Sequence, residues 1–211
     1  MFGALAAWKA QGANLAFGIV TDGSKGGRLP PDELRRLRRV EAEEAAGLLS
    51  VTPRFLDFVD GELVADATLI EALRRVIAEE APDLILTHAP NDYHGDHRAL
   101  SDAVRIAVSF HAPVVWPDTM HGAGFVPTHY IDITAHFDLK VEAIREHKTQ
   151  DPERFVEQVR ALASLRAAQA NGLPGGAAEA YRFEPSFPFV DIRDLLPPAP
   201  PVRGPRQHLL S

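Results

Sequence analysis

Side chains capable of chemistry concentrate in residues 83–100, DLILTHAPNDYHGDHRAL, where His88, Asn91, Asp92, Tyr93, His94, Asp96 and His97 follow one another closely. Imidazole is a common zinc ligand and a proton donor or acceptor near neutral pH, and a nearby carboxylate can fix the ring of a neighbouring histidine. Two histidines three apart are, by themselves, more often solvated side chains at a helix start than a site. What sets this pair apart is Asp96 between them and the setting of the loop. The apolar run Leu84, Ile85, Leu86 stops at the loop, and RALSDAVRIAVSF after it has apolar residues at helical spacing. A strand ending in a polar loop that opens a helix places these side chains at the carboxyl edge of a parallel sheet, where open α/β folds bind their ligands.

The surrounding elements fit that placement. Apolar periodicity predicts helices over 2–12, 32–49, 67–81, 97–110, 136–150 and 151–170. Asp32 is expected to cap the second, and Asp151 with Pro152 to open the last. Strands are predicted over 14–21, 54–59, 83–88, 113–116, within 128–135 and over 178–185. Alternation of strand and helix predicts an α/β, Rossmann-like fold: a mostly parallel sheet with helices on both faces. One domain over 1–195 accounts for the 211 residues, with a Pro-rich, disordered tail over 196–211. Such domains usually begin on a strand, whereas this chain begins on a helix.

Composition narrows the function. A formal charge of -7 argues against nucleic acid or an anionic membrane as partner. The absence of cysteine removes thiolate chemistry, disulfides and Cys-based zinc sites, and fits a cytoplasmic setting without requiring one. No apolar run approaches the roughly 20 residues that span a bilayer, and the start lacks the basic region of a signal peptide.

The runs AAWKAQG, IVTDGSKGG, an Arg/Glu-rich helix ending in LLSV, FLDFVDGEL, LTHAPNDYHGDHRAL, EHKTQ and AEAYR occur in this order. Together, from Phe2 to about Phe189, they resemble the LmbE-like, or PIG-L, family of zinc-dependent N-acetylglucosaminyl de-N-acetylases. The most specific run is His94-Gly95-Asp96-His97, which is similar to the family's H-P-D-H with Gly in place of Pro. The resemblance implies removal of acetyl from an N-acetyl amino sugar by zinc-activated water, with a carboxylate as general base. It implies His97 as a zinc ligand, and His94 as the group that stabilises the oxyanion and protonates the leaving amine. Asp96 would orient the His94 ring and keep it protonated. Arg38 and His147 are implied near the substrate, and Tyr93 is a further contact in the same loop. Their structural readings are an ion pair of Arg38 with Glu41, a cation at a helix end for His147, and loop packing for Tyr93. His88 reads as a satisfied core histidine or as a group that supports the site from behind, with the core reading preferred. PDTMHGAGF (117–125) is placed to form a substrate-side loop, and assembly into a homo-oligomer fits the family.

In one respect the chain departs from the family. The A-H-P-D-D-E loop, which supplies a His and an Asp to zinc and the catalytic base, has no counterpart among these residues. Phe2-Gly3 aligns with a turn just after that loop. An N-terminally shortened form and a protein that has lost catalysis both fit, and retention of His94, Asp96 and His97 favours the first. On either reading the first, central strand is expected to be absent, leaving two strand edges exposed unless a partner strand fills the slot. Little deacetylase activity is expected from these residues alone. The rivals are a non-catalytic sugar-binding or scaffold protein, and a metal-dependent hydrolase acting on another small amide or ester.

Overall fold

Strands and amphipathic helices alternate along the chain: α1 (Phe2–Ala10), β1 (Gly18–Thr21), α2 (Pro31–Gly47), β2 (Arg54–Phe58), α3 (Ala67–Glu80), β3 (Ile85–Leu86) and α4 (Gly95–Val108). They continue with β4 (Val114–Pro117), β5 (His129–Asp132), α5 (Phe137–Glu146), α6 (Pro152–Gln169) and β6 (Ala178–Arg182). This computed structural model describes residues 1–119 and 124–204. The middle of the 117–125 stretch, with His121, and the last residues of the tail lie outside them. Local chemistry explains most boundaries. Asp66 caps α3 by accepting from the Leu69 amide at 3.0 Å, and Ala81 closes that helix in the left-handed conformation. Asp32 is not a cap: α2 starts at Pro31, with Pro30 before it, and Asp32 lies in the first turn.

The fold is α/β with helices on both faces, but the sheet is in two pieces. One is β1–β2, the other β3-β4-β6-β5. The pairs β1–β2 and β3–β4 are parallel, while β6 joins both β4 and β5 antiparallel. The β1–β2 ladder slips after Ile19, where Asp57 takes a positive φ of 56° and makes a bulge. Val20 and Ile85 belong to one apolar cluster with Leu69, Leu73, Ala103 and Val104, so α3 and α4 form a single layer under both pieces. On the other face α1, α5 and α6 pack around Val115, Ile131, Tyr181 and Phe137. No described helix is long and apolar enough to cross a membrane.

The buried half of the molecule rests on Glu179. Its carboxylate accepts from the Gly3 and Ala4 amides of α1 at 3.1 and 3.0 Å, from Lys140 Nζ of α5 at 2.7 Å and from Tyr181 Oη at 2.6 Å. Burial opposes ionisation of Glu179, but the Lys140 ammonium, the Met1 amino group and the Tyr181 hydroxyl together outweigh it and hold the carboxyl well below its usual range. The expected disordered tail is ordered at its start. Asp132 N donates to Pro198 O, Arg203 Nε donates to Gly172 O, and Leu196 is buried. Backbone groups of the proline segment are satisfied by the body, which composition alone does not show.

Glu179→Ala leaves the part-buried Lys140 without its counter-charge and the Gly3 and Ala4 amides without their acceptor, so urea unfolding should show a loss of about 3 kcal/mol. Glu179→Gln keeps an acceptor and should lose less.

Candidate active site

After Leu86 the chain leaves the sheet, with the Thr87 amide still bound to Val115 O at 3.2 Å. A turn closed by Asp92 N to Ala89 O brings the Asp92 side chain inside, and Arg98 fastens the loop by donating to Asp92 O and Tyr93 O at 2.8 and 2.9 Å. The buried Asp92 carboxylate collects three donors. Oδ1 accepts from the His94 amide at 3.0 Å and faces His97 Nδ1 at 2.9 Å; Oδ2 accepts from Thr119 Oγ1 at 3.3 Å. Burial works against ionisation, but the His94 amide and the His97 ring together hold the carboxyl below its usual range. An ionised Asp92 makes Nδ1 of His97 the protonated nitrogen and leaves the Nε2 lone pair for a ligand. His88 stacks on His97 with centroids 3.6 Å apart and planes within 6°. Burial first, and then the neighbouring His97, push the pKa of His88 down to about 4, so His88 is neutral at pH 7.

The donor atoms of His88, Asp92 and His97 lie within 4.8 Å of one another. Two imidazole nitrogens and a carboxylate oxygen form a donor set that zinc accepts, so the residues fit a metal by their chemistry. Asp92, already bound on both oxygens, suits the supporting place behind His97 better than a direct bond.

Each residue singled out by sequence has a definite place. His94 is the N-cap of α4, its Nδ1 accepting from the Asp96 amide at 3.3 Å, and its ring lies 4.8 Å from that of His97. Tyr93 stands edge-on to both rings, at 6.1 and 6.0 Å. Gly95 occupies the first helical position, with nothing within 4 Å of where a Cβ would sit. A proline is accommodated at that kind of position, which explains why Gly and Pro can exchange there. The Asp96 carboxylate does not orient the His94 ring. It turns away, accepting from Gly61 N at 2.7 Å and Leu63 N at 3.2 Å. The turn after β2 presents these amides to the start of α4, and a buried carboxylate goes to donors that need it.

Arg38 does not pair with Glu41. Its guanidinium donates to Gly23 O and Gly26 O at 2.8 and 2.7 Å and lies 3.7 Å from Asp60 Oδ2. The Gly-rich loop wraps it closely: a Cβ on Gly23, which has a φ of +68°, would come within 2.7 Å of Arg38 Cδ. Glu41 instead accepts from the Thr149 amide and hydroxyl at 2.6 and 2.8 Å, tying the turn after α5 to α2. His147 sits in that turn. Burial is the main cause lowering its pKa, and Arg38 adds to it against the pull of Glu41. Among the described residues no hydrogen bond or ion pair joins Arg38 or His147 directly to His97; the Asp60–Gly61 turn mediates, through Asp96. Asp92 and His88 are the site residues that sequence reasoning undervalued. Asp92 stands five before His97, at no helical or strand spacing, so only the loop's geometry reveals the pair.

Comparison with known proteins decides the family. The model of the PIG-L family, GlcNAc-PI de-N-acetylase, matches residues 1–108. The chain belongs to the PIG-L family. A relative within reach of sequence comparison is diacetylchitobiose deacetylase of Thermococcus kodakarensis, 29% identical over 203 residues, covering 86% of this chain and 76% of that protein. The fold is similar to that of N,N'-diacetylchitobiose deacetylase from Pyrococcus horikoshii (TM-score 0.77, 24% identity, 93% of this chain and 83% of that one). It is equally similar to GalB, a 4-carboxy-2-hydroxymuconate hydratase from Pseudomonas putida KT2440 (TM-score 0.75, 23% identity, 85% and 88%). One PIG-L-like fold therefore carries hydrolytic and hydratase chemistry in different proteins.

The His88 environment sets a pH dependence. Its folded pKa of about 4 lies below the ordinary 6.5, so the unfolded chain binds more protons between those values. Stability should therefore fall as pH drops from about 6.5 to about 4, by up to ~3 kcal/mol. In metal-free protein the His88 ring should titrate near the lower value by NMR, and His88→Phe should flatten the stability curve across that window.

Proposed function

We propose that this PIG-L member is a metal-dependent hydrolase that removes acetyl from an N-acetylglucosamine-type substrate. The observation that carries the reading is the His97 ring, held by an ionised, buried Asp92 with its second nitrogen free at the carboxyl edge of β3. The deacetylase named among the relatives supports the substrate class. Zinc held at His97, with His88 and Asp92 beside it, would supply an acidified water and a polarised amide carbonyl. The chain's own residues account for the remainder. His94, its Nδ1 already accepting, presents Nε2–H as a donor to a developing oxyanion or a leaving amine. Asp96 positions the turn that separates this edge from Arg38. Tyr93 supplies an exposed ring for a sugar face, and Arg38 and His147 are assigned as further substrate contacts. The substrate is a small molecule, and the protein works in the cytoplasm.

One observation favours a second reading. Asp92 and Asp96 are both committed to hydrogen bonds, so neither is a ready general base. Residues 1–211 would then bind metal and amino sugar while turning over slowly, or not at all, as a sugar-binding protein.

Zinc titration followed by metal analysis should show about one zinc per chain, with affinity lowered at least tenfold by His97→Ala and 10–100-fold by Asp92→Ala. Unchanged zinc binding in His97→Ala would overturn the metal assignment. Amine release from N,N'-diacetylchitobiose then separates the two readings. Zinc-dependent release lost in His94→Ala supports the hydrolase, and sugar binding without release supports the other.

A further inference from the structure

We propose that Arg105, Arg182 and Trp116 form a binding site for a small oxyanion, a carboxylate or a phosphate group. The inference does not depend on the activity above, and it uses residues to which that activity gives no part. Trp116 of β4 and Arg182 of β6 stand opposite each other across the antiparallel pair, so their side chains share one face of the sheet. Val115, next to Trp116, packs into the cluster of α1, α5 and α6, which turns Trp116 to the other face, under α4. From α4, Arg105 reaches the same indole, with its Cζ 5.8 Å from the ring centroid. Arg182 Cζ lies 4.9 Å from that ring and 5.8 Å from the ring of Phe125, on the segment that leads into β5.

Three observations point to a missing acceptor. Trp116 is 3% exposed, and its Nε1–H, which can only donate, has no partner. Arg182 Nε is likewise buried and unpaired; its nearest described acid, the exposed Glu184, stands off at 3.7 Å, beyond hydrogen-bond reach. Arg105 is exposed and pairs with no acid among the described residues. Buried donors are nearly always satisfied, and in a chain of formal charge -7 acids are in excess, yet none has been placed here. Stacking defines what the place can hold. Aromatic rings cover the faces of a guanidinium and leave its in-plane N–H groups, the fork that matches two oxygens of a carboxylate or phosphate. An oxyanion entering from the exposed Arg105 side supplies the acceptors that the fold lacks. A polyanion such as nucleic acid is opposed by the net charge and by the burial of Trp116. Thr119, three residues after Trp116, donates to Asp92, so the same strand end serves both sites. The oxyanion is either a free ion or the acidic group of a molecule that also reaches the histidines.

Trp116 reports on its own surroundings, because the chain has one other tryptophan, Trp8. In the full chain carrying Trp8→Phe, tryptophan emission is followed as sodium phosphate, N-acetylglucosamine or N-acetylglucosamine 6-phosphate is added at constant ionic strength. Phosphate or the sugar phosphate should change the emission saturably. Arg105→Gln and Arg182→Gln should each weaken that binding at least about tenfold, and Arg105, being exposed, can be replaced without disturbing the core. Glu184→Gln removes the competing carboxylate and should tighten binding. A sugar phosphate held more tightly than phosphate assigns the oxyanion to a substrate, and one held no more tightly assigns it to a free ion. Silence towards both anions, an equal response to sodium chloride or to N-acetylglucosamine alone, or binding unchanged in Arg105→Gln would overturn the proposal.

Discussion

The contact on which most of this structure depends is the buried Asp96 carboxylate holding the Gly61 and Leu63 amides. Strands β1–β2 and β3–β4 share no ladder, so their relative position is set by the α3–α4 layer below and by this clasp at the rim. Hydrogen bonds to an ionised acceptor are about twice as strong as neutral ones, and inside the protein they are poorly screened. Asp22 adds a second clasp, accepting from the Ser24 and Asp60 amides and from Arg35. The carboxyl edge is therefore held by carboxylate-to-amide bonds where an unbroken sheet would use its own backbone.

Asp92 repeats the device within one loop. Its carboxylate fixes the His94 amide, the His97 ring and Thr119, so the histidines are oriented before any ligand arrives. That preorganisation has a chemical consequence. A carboxylate saturated by three donors stabilises a neighbouring imidazole but is a poor proton acceptor. The site as described is better built to hold a metal or an oxyanion than to activate water by itself.

Much of this was legible in the sequence, and the boundary of legibility is physical. Sequence pattern located the six described α-helices, most of them because an amphipathic face is written in consecutive residues and the first because Gly12 ends its run. The stop of the apolar run at Leu86 put His94 and His97 at a helix start, and His94 is indeed the α4 cap. What remained illegible was which acceptor meets which donor across the chain. Asp96 lies 35 residues from Gly61, and Glu41 lies 108 from Thr149. No local pattern encodes either partner, so Asp96 was assigned to the ring nearest it in sequence and Arg38 to the nearest acid.

The divided sheet and the histidine site meet at one place. The loop that carries His88, Asp92 and His97 leaves β3, and the Gly61 amide after β2 donates to Asp96 at the start of α4. The stacked His88 and His97 rings are therefore held between a strand end and a carboxylate clasp. Order in the strands is the condition for order in the site, since the loop that carries both histidines begins where β3 ends.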